Sequence, residues 1–464
     1  MSVAPQLNPL LAAWRETAAR RCRDVAVVEA QSGRRWTFGE LEREGRAAVR
    51  AWPDPTNAKS AGGREKTVAH PRGLDVGFLL SVLAGWESGR LVCPMDEGMA
   101  DPEPSVWRGV PEAYPNAVLA KTTSGSTGGP RHILFSPEAL AADARAIVTT
   151  MGLCPDRPNL GAISLAHSYG FSNLVLPLLL HGIPLVLAAS PLPGAVRAAL
   201  DIMARGDAGG TRATLPGVPA LWRSWFATGL INTRHLALAI SAGAPLPLEL
   251  ERQVWEATGV KIHNFLGSSE CGGIAFDRTP TPRREATLAG TPLDGVALSL
   301  DAESRLVVHS PSVGLGYWPP EQSESTPDDA SLQPGRFRTG DLADQREGTW
   351  HLLGRAADTI NLAGRKLHPV EIESLLKNHP AVRECLVFGI PSANPARGEE
   401  VVAAVVMEEE SASDWNDLPT WLGAQLPSWK WPRHWWAPPD LAATNRGKLP
   451  RAQWRTRFLS RHQS

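Results

Sequence analysis

The stretch that most limits how this chain can fold is Thr122-Thr123-Ser124-Gly125-Ser126-Thr127-Gly128-Gly129-Pro130-Arg131. Its hydroxyls and glycines suit neither a helix nor a strand interior, while residues 117–120 and 132–135 on either side read as strands. The run is therefore a loop joining two strands. Glycine lets the backbone approach a ligand closely, and successive N–H groups in such a loop make a concave anion site. A flexible Ser/Gly linker is the plain alternative, and the flanking strands argue against it. The spacing fits neither GxxxxGK[S/T] nor the GxSxG serine elbow.

Strand-like and helical stretches alternate through the rest of the chain. Residues 185–188, 236–240 and 296–300 read as short buried strands, so an α/β class is expected. At 464 residues the chain exceeds one hydrophobic core. A boundary falls near residues 354–358. A strand at 349–353 precedes it, and a hairpin, a helix at 371–378 and a strand at 385–390 follow. We therefore expect a large multi-subdomain N-terminal domain, 1–354, and a small α+β C-terminal domain, 355–464. Residues 321–334 are polar and carry Pro327 and Pro334, which predicts a surface loop. Trp415, Trp421, Trp429, Trp431, Trp435 and Trp436 crowd the small domain, and packing explains them better than a cofactor box.

The apolar run 171–189 approaches the length of a membrane span, but Pro177, His181, Gly182 and Pro184 break it into a buried helix, a turn and a strand. No membrane span is expected. The formal net charge of −1 gives no basic stripe for nucleic acid. Five cysteines, odd in number and widely spaced, fit neither a disulfide framework nor a zinc site. With no basic-then-apolar start, the chain is expected in the reducing cytoplasm.

The loop resembles the phosphate-binding segment of the adenylate-forming superfamily: acyl-CoA synthetases, luciferases and the adenylation domains of peptide synthetases. Other motifs of that family follow in order over nearly the whole chain. Asn264-Phe265-Leu266-Gly267-Ser268-Ser269-Glu270 resembles the segment that frames adenine and ends in a magnesium-binding glutamate. A carboxylate at Glu270 suits Mg²⁺, a hard cation held by oxygen together with substrate phosphates. The Ser269 hydroxyl would reach the α-phosphate. Residues 335–342 resemble the segment whose aspartate, here Asp341, binds the ribose hydroxyls. Arg355 matches a second ribose contact. Gly364 and Pro369 fall in the hairpin segment that serves the second half-reaction. Residues 445–451 resemble the C-terminal lysine motif, in which Lys448 bridges the substrate carboxylate and the α-phosphate.

The resemblance also implies that Thr123, Ser124, Gly125, Ser126, Thr127, Gly128 and Arg131 cradle ATP. Gly243 and Ala244 would lie near the adenine and acyl group. His167, Phe171, Gly267 and Ser268 would line the acyl site, with a packed core histidine as the rival reading of His167. The reaction implied is formation of an acyl-adenylate from ATP and a small carboxylic acid, then transfer to the thiol of CoA. Transfer to a carrier-protein phosphopantetheine is one alternative. A family member that binds nucleotide or acyl groups without turnover is another. Five positions depart from the family pattern. Arg131 stands for lysine, His132 for glycine, Leu266 for an adenine-stacking tyrosine and Ser269 for threonine. Ala357 occupies the hinge, where aspartate or lysine is usual.

Overall fold

A computed structural model describes residues 8–51, 67–123, 131–206, 208–320, 331–394, 398–408, 415–441 and 451–462. The fold is α/β, as expected. Its largest sheet runs, edge to edge, through Ala297–Leu300, Arg305–His309, Arg336–Arg346, Thr349–Arg355, Leu288–Pro292, Gly272–Phe276, Ile262–Ser268, Leu236–Ser241, Ala213–Gly217, Asn159–Gly161, Leu185–Leu187, Val25–Glu29 and Arg35–Thr37. Pairing is parallel from Ile262–Ser268 through to Val25–Glu29 and antiparallel on the other side. Ile262–Ser268 is thus the strand where the two regimes meet.

The parallel strands read as continuous apolar runs because both faces are covered. Leu185–Leu187 is buried throughout, and so is Ala213–Gly217. The run at 171–189 resolves as expected. Phe171–Val175 forms one wide helical turn, Leu176–His181 continues it, and Gly182 ends it in a left-handed conformation before the strand.

A second sheet holds the two strands that flank the predicted loop. Its order is Gly316–Trp318, Arg131–Phe135, Leu119–Thr123, Leu91–Val92 and Val68–Ala69. The helix Pro137–Met151 leaves it under clear local signals. The Ser136 hydroxyl accepts the Ala139 N–H, proline sits in the first turn, and left-handed Gly152 closes the C-terminus.

After Arg355 come the hairpin Ile360–Leu362/Arg365–Leu367, the helix Pro369–Lys377, and a three-stranded sheet of Val382–Pro391, Glu399–Met407 and His434–Trp436. This follows the hairpin, helix, strand order read from the sequence. The sheet has its own core, with Ile360, Leu367, Ile372 and Leu376 among its buried residues.

Two expectations need correction. The polar segment 321–334 is not loop throughout, because Ser331–Gln333 pairs antiparallel with Arg336–Arg346. The tryptophans are not uniformly packed either. Trp436 is buried and Trp415, Trp429 and Trp435 pack against the small core, but Trp421 and Trp431 are 36% and 45% exposed.

Candidate active site

The parallel ladder of three strands ends in line, although Ile262–Ser268 runs on beyond it. Ser241 pairs with Gly217 on one side and Asn264 on the other, so their carboxyl ends form one rim. Ligands of parallel α/β sheets sit at such ends. Gly243 and Ala244 follow after Ala242; Gly243 is exposed and left-handed, at φ 83°. Asn264 is half-buried and donates its side-chain N–H to the Leu288 carbonyl at 3.2 Å. Gly267 is exposed at the strand's end, and Ser268, Ser269 and Glu270 are half-buried beyond it. The Ser268 hydroxyl accepts the Glu270 N–H at 3.2 Å, which turns the chain there.

The hairpin that carries the predicted phosphate loop closes at its foot, where Thr123 pairs with Arg131 and Thr122 with His132. Thr123 also donates its hydroxyl to the Arg131 carbonyl at 3.4 Å. Ser124, Gly125, Ser126, Thr127 and Gly128 lie outside the described residues, as does Lys448. Arg131 lays its guanidinium over the ring of Tyr317, 5.1 Å from the centroid. The Tyr317 hydroxyl in turn donates to Glu270 Oε1 at 3.2 Å. One side chain therefore joins the foot of the loop to the predicted metal-binding carboxylate. Burial, and then the charge of Glu270, push the Tyr317 phenol up, so it remains a proton donor.

A buried network lies beneath. The Lys121 ammonium donates to the hydroxyls of Ser168 at 3.1 Å and Ser172 at 3.3 Å, and sits 4.5 Å from the Phe135 ring centroid. Ser172 donates to Asp143 at 2.5 Å, and Asp143 accepts the Gly273 N–H at 3.0 Å. Three segments are tied together: the phosphate hairpin, the helix after His167 and the strand after Glu270. Burial lowers the Lys121 pKa, and Asp143 opposes the shift. The departure at His132 also has a packing reason. Its ring lies 4.5 Å from that of Trp107, and Nδ1 is 3.2 Å from the Thr122 hydroxyl. Burial, aided by nearby His70, pushes it down to about 4.

Asp341 and Arg355, the two expected ribose contacts, face one another across the antiparallel ladder with 3.2 Å between Oδ1 and Nε. The Asp341 N–H is held by the Thr339 hydroxyl at 3.0 Å. Arg355 ends its strand, and the short helical turn Ala356–Asp358 follows at the hinge position. Gly364 is exposed at its hairpin tip, and Pro369 is buried in the first turn of its helix.

The acyl-side residues divide. His167 is partly exposed, with Nε2 3.3 Å from Asp96 Oδ1, and Asp96 also accepts the Ser164 hydroxyl at 3.2 Å. Phe171 turns its ring into the core. It is 1% exposed and meets Phe78 edge-on in the main core. Phe265 likewise turns its ring into a core beside Tyr169, leaving its backbone as the part that can face a ligand. Leu266 is half-buried against the same core.

Sequence reasoning missed Tyr317, Lys121, Asp143 and Asp96. Lys121 carried a signal, as a lysine inside the buried strand Leu119–Thr123. The others became visible only through sheet pairing and helix docking.

Comparison with known proteins bears on the family and the fold. The family model described as AMP-binding enzyme matches residues 97–318, and that of the AMP-binding enzyme C-terminal domain matches 371–448. A feruloyl-CoA synthase of Amycolatopsis sp is 29% identical over 399 residues, 81% of this chain and 77% of that protein. An anthranilate–CoA ligase of Pseudomonas aeruginosa is 28% identical over 358 residues, 73% of this chain and 66% of that protein. ATP-bound MatB from Rhodopseudomonas palustris shares the fold with a TM-score of 0.78, at 23% identity over 96% of this chain and 98% of that one. The anthranilate CoA ligase AuaEII in complex with anthranoyl-AMP does so with a TM-score of 0.80, at 20% identity over 98% of both chains. With the main and C-terminal models matched in order and the fold shared over nearly its whole length, this chain belongs to the AMP-binding enzyme family.

Proposed function

We propose that this enzyme is an AMP-forming acid–thiol ligase, which activates a carboxylic acid with ATP and passes the acyl group to CoA. The observation that carries the reading is the chain Arg131–Tyr317–Glu270, which brings the foot of the phosphate loop and the motif carboxylate into one contact network. The substrate carboxylate attacks the α-phosphorus and pyrophosphate leaves. No covalent protein intermediate is needed, so positioning and electrostatics carry the catalysis. Arg131 and the loop N–H groups take the phosphates, Ser269 the α-phosphate, and Asp341 with Arg355 the ribose. Lys448 offsets charge on the attacking and leaving oxygens.

Among the described residues no three His, Cys, Asp or Glu side chains converge to hold a metal by themselves. A magnesium ion would therefore take Glu270 together with phosphate oxygens, its usual mode in nucleotide sites, and would neutralise charge there. Residues 355–464 are assigned as the mobile domain, turning about Ala357 to bring Gly364 toward the adenylate. No helix among the described residues is long and apolar enough to cross a membrane. Burial pushes the thiols of Cys93 and Cys271 up to about 12, which suits inert cysteines in a reducing cytoplasm.

The names of the relatives suggest where to look for the acid. Ferulate, succinylbenzoate and anthranilate are aromatic, so aryl acids head the panel. Long-chain, sulfoacetate and malonate substrates follow. The test is to incubate the enzyme with ATP, each acid, and either CoA or a phosphopantetheinylated carrier, and to weigh the products. A CoA thioester plus AMP is expected. A loaded carrier with no CoA thioester would move the acceptor to a protein, and neither product would refute acyl transfer.

A further inference from the structure

The hairpin Ile360–Leu362/Arg365–Leu367 turns through Ala363 and Gly364, both left-handed at φ 52° and 85°. Glycine adopts that conformation freely, but alanine does not. The turn must therefore be held by further contacts. Asn361 supplies one hold: its Oδ1 accepts the Gly364 N–H at 2.9 Å, and its own N–H goes to Glu399 Oε2 at 2.8 Å. Trp429 supplies the other. Arg365, the first residue past the turn, lays its guanidinium 5.3 Å from the centre of the Trp429 ring. The Lys430 ammonium lies 5.2 Å from the same ring and is ion-paired with Glu371, in the first turn of Pro369–Lys377.

Arg365 of the hairpin and Lys430, which Glu371 ties to the helix, thus share one indole, which itself packs against the core of the small domain. The tip beyond this clamp is open. A Cβ added at Gly364 would meet nothing within 4 Å. The hairpin is anchored at its base and clear at its end, the form of a loop built to be presented to something else.

We propose that Trp429 and Arg365 are positioning residues for the thiol-transfer step, fixing the direction in which the Gly364 tip points. The proposal rests on the ligase reading above. In that step the CoA sulfur bonds to the acyl carbon and the bond from that carbon to the AMP oxygen breaks. The electron pair leaves with AMP, and the thiol proton passes to water. Neither residue touches these atoms. The clamp acts through the backbone of residues 363–364, while adenylation calls on this domain for Lys448 instead.

The test separates the half-reactions in the full-length enzyme. Trp429→Ala, Trp429→Phe and Arg365→Met are compared for acid-dependent ATP–pyrophosphate exchange, for CoA thioester formation, and for thermal midpoint. Exchange should stay within about twofold of wild type in all three. Thioester turnover should fall about threefold in Arg365→Met and about tenfold in Trp429→Ala, the scale of losing one and then both cation–ring contacts. Trp429→Phe, which keeps an aromatic face, should recover most of it. Full thioester turnover in Trp429→Ala overturns the clamp, as does an equal loss in both half-reactions, which would make the residue a general support of the fold. A wild-type enzyme that exchanges pyrophosphate but forms no CoA thioester overturns the ligase reading itself, and this proposal with it.

Discussion

Removing the Asp341 carboxylate separates a structural role from a catalytic one by magnitude. The side chain is 24% exposed and its partner Arg355 is 56% exposed, with 3.2 Å between them. A partly exposed ion pair of this kind stabilises a fold by at most about 1 kcal/mol. If pinning two strands were its whole purpose, Asp341→Ala would lower the thermal midpoint slightly and leave activity within about fivefold. Accepting two ribose hydroxyls is different, because hydrogen bonds to a charged group contribute about 1.5–3 kcal/mol each. Losing both costs about 3 kcal/mol or more, a fall of roughly a hundredfold or greater in kcat/KM for ATP. Asp341→Asn, which keeps an acceptor oxygen but no charge, should fall between. The assay is acid-dependent ATP–pyrophosphate exchange at varied ATP, alongside thermal unfolding. An Asp341→Ala enzyme that loses stability but keeps kcat/KM within fivefold would refute the assignment.

Other expectations follow from the same geometry. Lys448→Ala should reduce exchange by a large factor, about a thousandfold if its ammonium supplies transition-state electrostatics of the usual size, with ATP binding retained in equilibrium dialysis. His132 stays neutral down to about 4 in the folded chain but titrates near 6.5 when unfolded. The unfolded state therefore binds the extra proton between those values, so stability contributed above 6.5 is lost on acidification, by about 2 kcal/mol at pH 5. Calorimetry should show a smaller drop in thermal midpoint between pH 7.5 and pH 5 in His132→Asn than in wild type. Gly272 is left-handed at φ 72°, and a Cβ there would lie 2.1 Å from the Asp143 carboxylate. Gly272→Ala should cost about 2–4 kcal/mol in stability, because a buried carboxylate with two hydrogen bonds would have to move. An unchanged melting curve would refute that view of the network.

What the sequence made legible is what short-range chemistry determines. The paired strands Leu119–Thr123 and Arg131–Phe135 showed themselves as two strand-like runs around a stretch of glycines and hydroxyls, and the small domain by its hairpin, helix and strand. Asp341 and Arg355 were named separately from motifs, and the turn between their strands then set them face to face. Contacts between distant segments were not legible. Tyr317 reaches Glu270 across 47 residues because Gly316–Trp318 pairs with the phosphate hairpin, a register nothing local announces. Asp96 meets His167 for a similar reason, across two separate segments. The packing of Phe171 was not legible either, because an aromatic beside a candidate acyl-site histidine reads the same whether its ring faces a ligand or the core. Only the packing against Phe78 decides it. The same holds for Trp421 and Trp431, whose exposure composition could not foretell.

The most direct test of the account is pyrophosphate exchange across a panel of carboxylic acids led by aryl acids, with purified enzyme, ATP and magnesium. Exchange should depend on a particular acid and be lost in Glu270→Ala and Lys448→Ala. Absence of exchange with every acid, together with no binding of ATP, would contradict this reading.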